Sequence, residues 1–366
     1  MVTSTDVRQS NFELLRIIAI FMVLVHHSLF EANTIGYKKV YTFDDGYMGV
    51  FLNSFCIIGV NLFILISGWF GCKRTYRKIV LILVEVTLFS GIGYILGCMF
   101  GLTNFDIFAM LKAMNFFNNW FVVSYILLLM LIPVVNEILT NDYVIKVAFD
   151  KKFIKCNEFY FNKSTLCVFI LALISVFFGW GMGILNVDGY NVVNFVFLYT
   201  LSNWLRQKLQ INKMLSGFCL IVIYILSAVL LSGLFFLIFG YLHKESTTFN
   251  TMRLMGYNNP LVLISSVAFF CLFARFKIKS NLINHVASAV LGVFMIHEVP
   301  AISEFWRSFA LSAYQHYSYI GLIIYDIVLF VILCFLSYLI KSFFINPVLC
   351  RCSELLKLIR VFYCHF

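Results

Sequence analysis

The chain has 366 residues, of which 62% are hydrophobic and 12% are charged, and its mean hydropathy is +0.93. Soluble domains carry about 25% charged residues, so this composition excludes a soluble globular protein and predicts an all-α, polytopic integral membrane protein. The net charge of +10 arises from Lys and Arg in the connections between apolar segments, so it does not indicate a nucleic-acid partner.

Apolar segments long enough to cross a bilayer core about 30 Å thick recur along the chain. We predict about ten transmembrane helices that form a single domain over residues 1–343, followed by a tail at 344–366. The first segment lacks a small-residue cleavage site after it, so it is expected to remain as the first helix. The predicted spans are 12–32, 47–71, 79–101, 119–140, 164–183, 191–205, 215–241, 259–275, 283–298 and 318–343.

The distribution of positive charge predicts the orientation of these helices, because Lys and Arg concentrate in cytoplasmic loops. If the amino terminus is cytoplasmic, one set of alternating loops holds 20 of the 27 Lys and Arg residues and the other set holds six. This asymmetry favours an even number of helices, with both termini in the cytoplasm. The connection at 102–118 is amphipathic and is expected to lie on the outer interface or to dip into it.

The first predicted helix contains Arg16, His26 and His27, and ionisable residues inside a membrane mark a functional site by default. Arg16 and His27 are eleven residues apart, so they share one helix face about 16 Å apart, whereas His26 points to the side. A guanidinium suits a phosphate group, and an imidazole suits removal of a hydroxyl proton. In the structural alternative, Arg16 anchors the helix beside Glu13 and the histidines bond backbone carbonyls.

This helix resembles the opening helix of the acyltransferase 3 family of bacterial membrane proteins. The resemblance consists of an acidic residue, here Glu13 where many members have Asp, then Arg16, and His27 after ten further residues. Three later stretches follow in the order typical of the family. They are Gly59 to Ser67 and Gly68 with the Arg74-Thr-Tyr-Arg77 pair after it, Trp120-Phe-Val-Val-Ser-Tyr125 running to Pro133, and Gly292-Val-Phe-Met-Ile-His297.

The resemblance implies an O-acyltransferase in the cytoplasmic membrane of a bacterium. Such an enzyme moves an acyl group, typically acetyl, from acyl-coenzyme A to a hydroxyl of a cell-surface or envelope glycan, and it uses no metal. Its partners would be a glycan or lipid-linked sugar acceptor and the membrane lipids. Some members finish the transfer in a fused extracytoplasmic domain. Here we expect either direct acylation or a separate extracytoplasmic transferase.

The resemblance also assigns roles to individual residues. It implies that Arg16 and His27 are catalytic, with His27 acting as general base or transient acyl carrier, and that Arg74 and Arg77 bind the phosphates of coenzyme A. The alternative for Arg74 and Arg77 is that they anchor the helix on its cytoplasmic side. The further candidates from the matched motifs are Glu13, Ser67, Trp120, Tyr125 and His297.

Two buried charges lie outside the matched motifs. Glu85 in the third predicted helix is expected to reach a cytoplasmic Lys or Arg, and Asp326 in the tenth is expected to form a structural ion pair; a proton relay is the alternative for both.

Two other functions fit a many-helix chain. A transporter or flippase for a lipid-linked sugar would be expected to show repeated halves, and a glycan polymerase would be expected to carry a large outer loop. The sequence shows neither feature.

Overall fold

A computed structural model describes residues 9–31, 47–72, 75–140, 143–147, 159–184, 188–208, 215–242 and 253–353. The described chain is predominantly helical. Its helices are α1 (Ser10–Glu31), α2 (Tyr47–Cys56), α3 (Gly59–Phe70), α4 (Thr75–Met99), α5 (Ile107–Met114), α6 (Trp120–Thr140), α7 (Lys163–Ala172), α8 (Val192–Lys208), α9 (Gly217–Phe236), α10 (Pro260–Ala274), α11 (Asn281–Ser288), α12 (Val290–His297) and α13 (Pro300–Ile340). Wider π-helical turns extend α7 to Gly181, α9 to Tyr241 and α13 to Ile345.

One hairpin departs from the all-α prediction. Strand β1 (Val144–Val147) pairs antiparallel with β2 (Phe159–Asn162), and Val144 lies opposite Asn162. The β-branched and aromatic residues of these two short segments favour extended structure, and the hairpin lies between α6 and α7.

The predicted spans correspond to helices, but with differences in length. Within the described residues, seven helices are long and apolar enough to cross a membrane, and each of the ten predicted segments overlaps a helix. The segments at 191–205, 259–275 and 283–298 form shorter helices, and the last of these is divided between α11 and α12. The seven long helices support a multi-pass membrane protein, whereas ten spans and cytoplasmic termini remain predictions.

The predicted boundaries of the last helix differ most from the structure. The prediction began at 318, whereas α13 begins at Pro300 and is kinked at Ser318, where φ is 56° and ψ is −153°. Residues 300–317 include Glu304, Arg307 and His316, so their polarity concealed the first half of this helix. Helical structure also continues past 343 to Ser353, because Ile345, Val348 and Leu349 maintain an apolar pattern.

Helix α1 lies at the centre of the bundle. It contacts α2, α3, α10, α11, α12 and α13, and its core residues Leu15, Ala19 and Leu24 are fully buried. Because protein surrounds α1, its ionisable side chains face other helices rather than lipid.

Close packing of α3 on α8 depends on Gly68. A Cβ atom at this position would lie 2.3 Å from the carbonyl oxygen of Tyr199 and 2.9 Å from Cβ of Ser202. Backbone atoms cannot move aside as a flexible side chain can, so the two helices would have to separate.

We expect Gly68→Ala to destabilise the folded protein by about 1–3 kcal/mol, as overpacking of a close interface does. Gly233→Ala in α9 is the matched control, because nothing lies within 4 Å of the Cβ position there. Thermal unfolding of the detergent-solubilised chain would measure both variants. Equal thermal unfolding midpoints for the two variants would show that the α3–α8 contact tolerates a side chain at position 68.

Candidate active site

A cavity of about 480 Å³ opens among α1, α3, α4, α6, α11, α12 and the end of α13, at the predicted cytoplasmic end of the bundle. Its walls are largely apolar. Its ionisable and hydroxyl-bearing side chains come from five helices and from the end of α13. They are Glu13, Arg16, Ser67, Lys78, Glu85, Tyr125, Ser288 and Lys341. An apolar cavity with a few convergent polar groups is the usual form of a small-molecule site.

Two cations of the cavity are paired with carboxylates. Arg16 Nη1 contacts Glu13 Oε1 at 2.7 Å, and the Arg16 side chain remains 35% exposed. Lys341 Nζ contacts Glu85 Oε1 and also donates to the carbonyl oxygen of Ser288 at 2.8 Å. The structure therefore places Glu85 beside a Lys of the predicted cytoplasmic side, as the sequence predicted.

Lys78, unlike Arg16 and Lys341, contacts a hydroxyl and a thiol. Its Nζ donates to the Tyr125 hydroxyl at 2.8 Å and lies 3.3 Å from Sγ of Cys72. Ser67 donates its hydroxyl proton to the Phe63 carbonyl at 3.0 Å, so Tyr125 donates to Ser67 Oγ at 3.1 Å. Among the described residues of the cavity wall, Lys78 is the cation without a carboxylate partner.

Arg77, one of the two arginines predicted to bind coenzyme A phosphates, is not among the described residues that line this cavity. Arg77 contacts the Ser353 hydroxyl at the end of the last helix, and its side chain is directed away from the described cavity wall. Arg74 lies outside the described residues. Lys78 follows Arg77 in α4 and points about 100° around the helix from it, which brings Lys78 rather than Arg77 to the cavity.

A second polar group lies where α1 and α12 end, at the predicted outer end of the bundle. Nδ1 of His27 is 3.0 Å from Nε2 of His297 and 3.0 Å from Oε1 of Glu298, and the last two atoms are 3.1 Å apart. We refer to these three residues as the histidine–glutamate cluster. His297 is fully buried, whereas the side chains of His27 and Glu298 are 29% and 32% exposed.

Hydrogen-bond partners determine which nitrogen atoms of the cluster carry protons. His297 Nδ1 lies 3.0 Å from the carbonyl oxygen of Val293, which only accepts, so Nδ1 carries a proton. The Glu298 carboxylate is the stronger acceptor for Nδ1–H of His27, because the bond is charge-assisted. With Nδ1 donating to this carboxylate, the neutral form of His27 has an unprotonated Nε2, which is the form a general base requires.

The cavity and the cluster are separated by a thin wall. Val23 lines the cavity and precedes His27 by one turn of α1. Phe294 also lines the cavity, and its ring centroid is 5.7 Å from that of His297. A group held in the inner end of the cavity therefore lies about one helical turn below His27.

The neighbours of His27 in α1 have other partners. His26 is buried, and its Nδ1 lies 2.6 Å from Oδ1 of Asn53 in α2, which places His26 to the side as its helical position predicted. Ser28 donates to Oδ2 of Asp326 at 2.6 Å. Asp326 thus bonds a hydroxyl rather than a cation among the described residues, which corrects the expected ion pair, and its Oδ1 has no described hydrogen-bond partner.

The structure brings together His27 and His297, which were both predicted site residues, and adds Glu298, which was not predicted. The sequence feature that could have indicated Glu298 is the His-Glu pair that ends an apolar segment just before Pro300. Lys78 was counted among the positive charges of the loops and was not predicted as a site residue. Arg16 lies at the cavity rather than in the histidine–glutamate cluster. Two imidazole nitrogens and a carboxylate are also metal-ligand types, so the absence of a metal requirement remains a prediction.

Comparison with known proteins adds one finding. A family model described as an acyltransferase domain matches residues 9–342, which is nearly the whole chain. Searches of curated proteins and of solved structures gave no match.

Proposed function

Because the chain belongs to the acyltransferase 3 family, we propose that it transfers an acyl group, in the simplest case acetyl, from acyl-coenzyme A to a hydroxyl of an envelope glycan. The chain would act in the cytoplasmic membrane of a bacterium. The observation that carries this proposal is the placement of the histidine–glutamate cluster one helical turn beyond the inner end of the cavity. A donor bound in the cavity would hold its reactive end about one helical turn from His27.

The cavity suits the donor chemically. Its largely apolar wall fits the pantetheine arm, and its volume of about 480 Å³ lies within the range of small-molecule pockets. Lys78 supplies a positive charge that no described carboxylate neutralises, and Arg16 keeps donor positions beyond its bond to Glu13. Arg74 remains a proposed phosphate ligand.

The chemistry follows from the cluster. Nε2 of His27 removes the proton from the acceptor hydroxyl while that oxygen attacks the thioester carbonyl carbon. The carbon–sulfur bond then breaks, and the coenzyme A thiolate leaves and takes the proton. Glu298 orients His27 and stabilises its protonated form. In the relay version of this reaction, His27 itself first accepts the acyl group and then passes it to the hydroxyl.

The test is transfer of label from radiolabelled acetyl-coenzyme A to envelope glycans in membranes with and without the protein. We expect label in the glycan fraction only when the protein is present, and we expect excess unlabelled coenzyme A to reduce it. If no label appears and coenzyme A does not bind, the enzyme proposal is wrong. A transporter for a lipid-linked sugar then becomes the better proposal.

We expect Lys78→Ala to raise the KM for acetyl-coenzyme A about tenfold or more, because a charge-assisted hydrogen bond contributes roughly 1.5–3 kcal/mol. The dependence of the rate on acceptor concentration should not change. Lys277→Ala is the matched control, since Lys277 is exposed and does not line the cavity. Equal donor KM values for both variants would exclude a donor-binding role for Lys78.

A further inference from the structure

Three aromatic rings meet at the predicted outer end of the bundle. They belong to Trp120 at the start of α6, Tyr190 just before α8 and Tyr257 just before α10. We propose that this aromatic platform binds one pyranose ring of the acceptor glycan. This inference rests on the proposed acyl transfer and adds the place where the acceptor is held.

Two rings of the platform are partly exposed, and the third is buried. The side chain of Trp120 is 38% exposed and Tyr190 is partly exposed, whereas Tyr257 is 3% exposed. The Trp120 centroid is 4.7 Å from that of Tyr190 and 5.9 Å from that of Tyr257, with which it is stacked at 24°. Trp120 therefore offers a partly exposed ring that rests on the buried ring of Tyr257.

One backbone hydrogen bond joins the loops that carry the two tyrosines, and a second bond orders the Tyr190 loop itself. The N–H of Tyr257 donates to the carbonyl oxygen of Asp188 at 2.7 Å, and the N–H of Tyr190 donates to Oδ1 of Asp188 at 3.0 Å. Gly189 has φ of +78°, and a Cβ atom there would lie 2.8 Å from the backbone nitrogen of Asn258. Such preorganisation reduces the entropy lost when a ligand binds.

A chain of ring contacts links the platform to the proposed catalytic residues. The Trp120 centroid is 6.0 Å from that of Phe121, which is 5.4 Å from that of Phe294. Phe294 in turn lies 5.7 Å from His297. Three ring contacts therefore connect the platform to the histidine–glutamate cluster.

The chemistry of the platform fits a sugar ring. The axial C–H groups of a pyranose carry partial positive charge and pack on the negative face of an aromatic ring. Trp180, Trp204 and Trp306 donate their indole N–H groups to protein oxygens, whereas the Trp120 N–H has no acceptor among the described residues and can donate to a sugar hydroxyl. The partly exposed Asp188 adds a carboxylate acceptor at the rim.

A purely interfacial role predicts different behaviour. Aromatic residues at membrane interfaces position helices by contact with lipid headgroups, and removing one such residue would affect insertion rather than the concentration dependence of a substrate. The matched control is Phe117→Ala, because Phe117 is 69% exposed in the same connection and contacts Phe116 rather than the platform.

The experiment measures acyl transfer from radiolabelled acetyl-coenzyme A to a purified envelope polysaccharide fraction at increasing concentrations. The full chain is compared with its Trp120→Ala, Trp120→Phe and Phe117→Ala variants. We expect Trp120→Ala to raise the half-saturating acceptor concentration about tenfold, Trp120→Phe to raise it less, and Phe117→Ala to leave it unchanged. Binding of coenzyme A should be the same in all four proteins.

Retention of each protein on an array of immobilised oligosaccharides separates this inference from the proposed reaction. The platform is not an acceptor subsite if wild type transfers label and Trp120→Ala has the same half-saturating acceptor concentration. The same conclusion follows if Trp120→Ala loses coenzyme A binding. If wild type transfers no label but binds oligosaccharides and Trp120→Ala does not, the platform stands and the transfer proposal fails. If wild type neither transfers label nor binds oligosaccharides, both proposals are wrong.

Discussion

Replacement of His27 by alanine is expected to abolish acyl transfer while the chain still inserts and folds. His27 is partly exposed, so its truncation leaves little unfilled core, but it removes Nε2, the atom proposed to take the substrate proton. General-base catalysis contributes about 10²–10⁴-fold, and we expect a loss of at least 10³-fold in kcat. This loss would be measured as the rate of labelled acetyl transfer. Each rate would be normalised to the amount of protein recovered as a single species in size-exclusion chromatography.

Two histidine variants serve as controls for this result. His26→Ala removes a buried imidazole that bonds Asn53, so it should lower stability and reduce the rate per folded molecule less than His27→Ala does. His316→Ala alters an exposed histidine in the first half of α13 and should retain the wild-type rate. Equal losses in His26→Ala and His27→Ala, with normal folding of both, would contradict the assignment of His27 as the base.

Replacement of Glu298 by glutamine should give the second largest loss. The carboxylate accepts from His27 Nδ1 at 3.0 Å, which fixes the tautomer that leaves Nε2 unprotonated. An amide can present its NH₂ group to Nδ1 and favour the opposite tautomer. A loss of this kind reduces kcat by on the order of 10²–10⁴-fold, and the donor KM should not change because Glu298 does not line the cavity.

Steady-state kinetics of Glu298→Gln, Glu298→Asp and Glu304→Gln would test this role. Glu298→Asp retains the charge at a longer distance and should recover part of the activity. Glu304→Gln changes an exposed carboxylate of α13 and should be neutral. If Glu298→Gln raised the donor KM without lowering kcat, Glu298 would be assigned to donor binding and the positioning role would be rejected.

Hydropathy accounts for most of the helical architecture, since every apolar segment that the sequence predicted overlaps a helix. It failed for residues 300–317, where charged and polar residues occupy the first half of α13. It also could not show that the apolar segment at 283–298 is divided near Ala289. Both features depend on tertiary contacts, which an average of hydropathy along the sequence does not contain.

The candidate site was predictable in part. An ionisable group inside an apolar helix is conspicuous, which is why Arg16 and His27 could be named. Whether Arg77 or Lys78 faces the cavity depends on the rotation of α4, which the sequence does not specify. Glu298 lies beyond the end of an apolar segment, where a charged residue is ordinary, and its contact with His27 depends on the packing of α12 beside α1.

The partners of α1 have a consequence for biosynthesis. His27 meets a residue 270 positions later in the chain, and Ser28 meets one 298 positions later. Translation proceeds from the amino terminus, so α1 enters the membrane long before α12 and α13 exist. Its ionisable side chains must therefore be shielded during elongation, by water or by the insertion machinery. A ribosome-stalled chain that ends before residue 297 would accordingly be held at the insertion site rather than released into lipid.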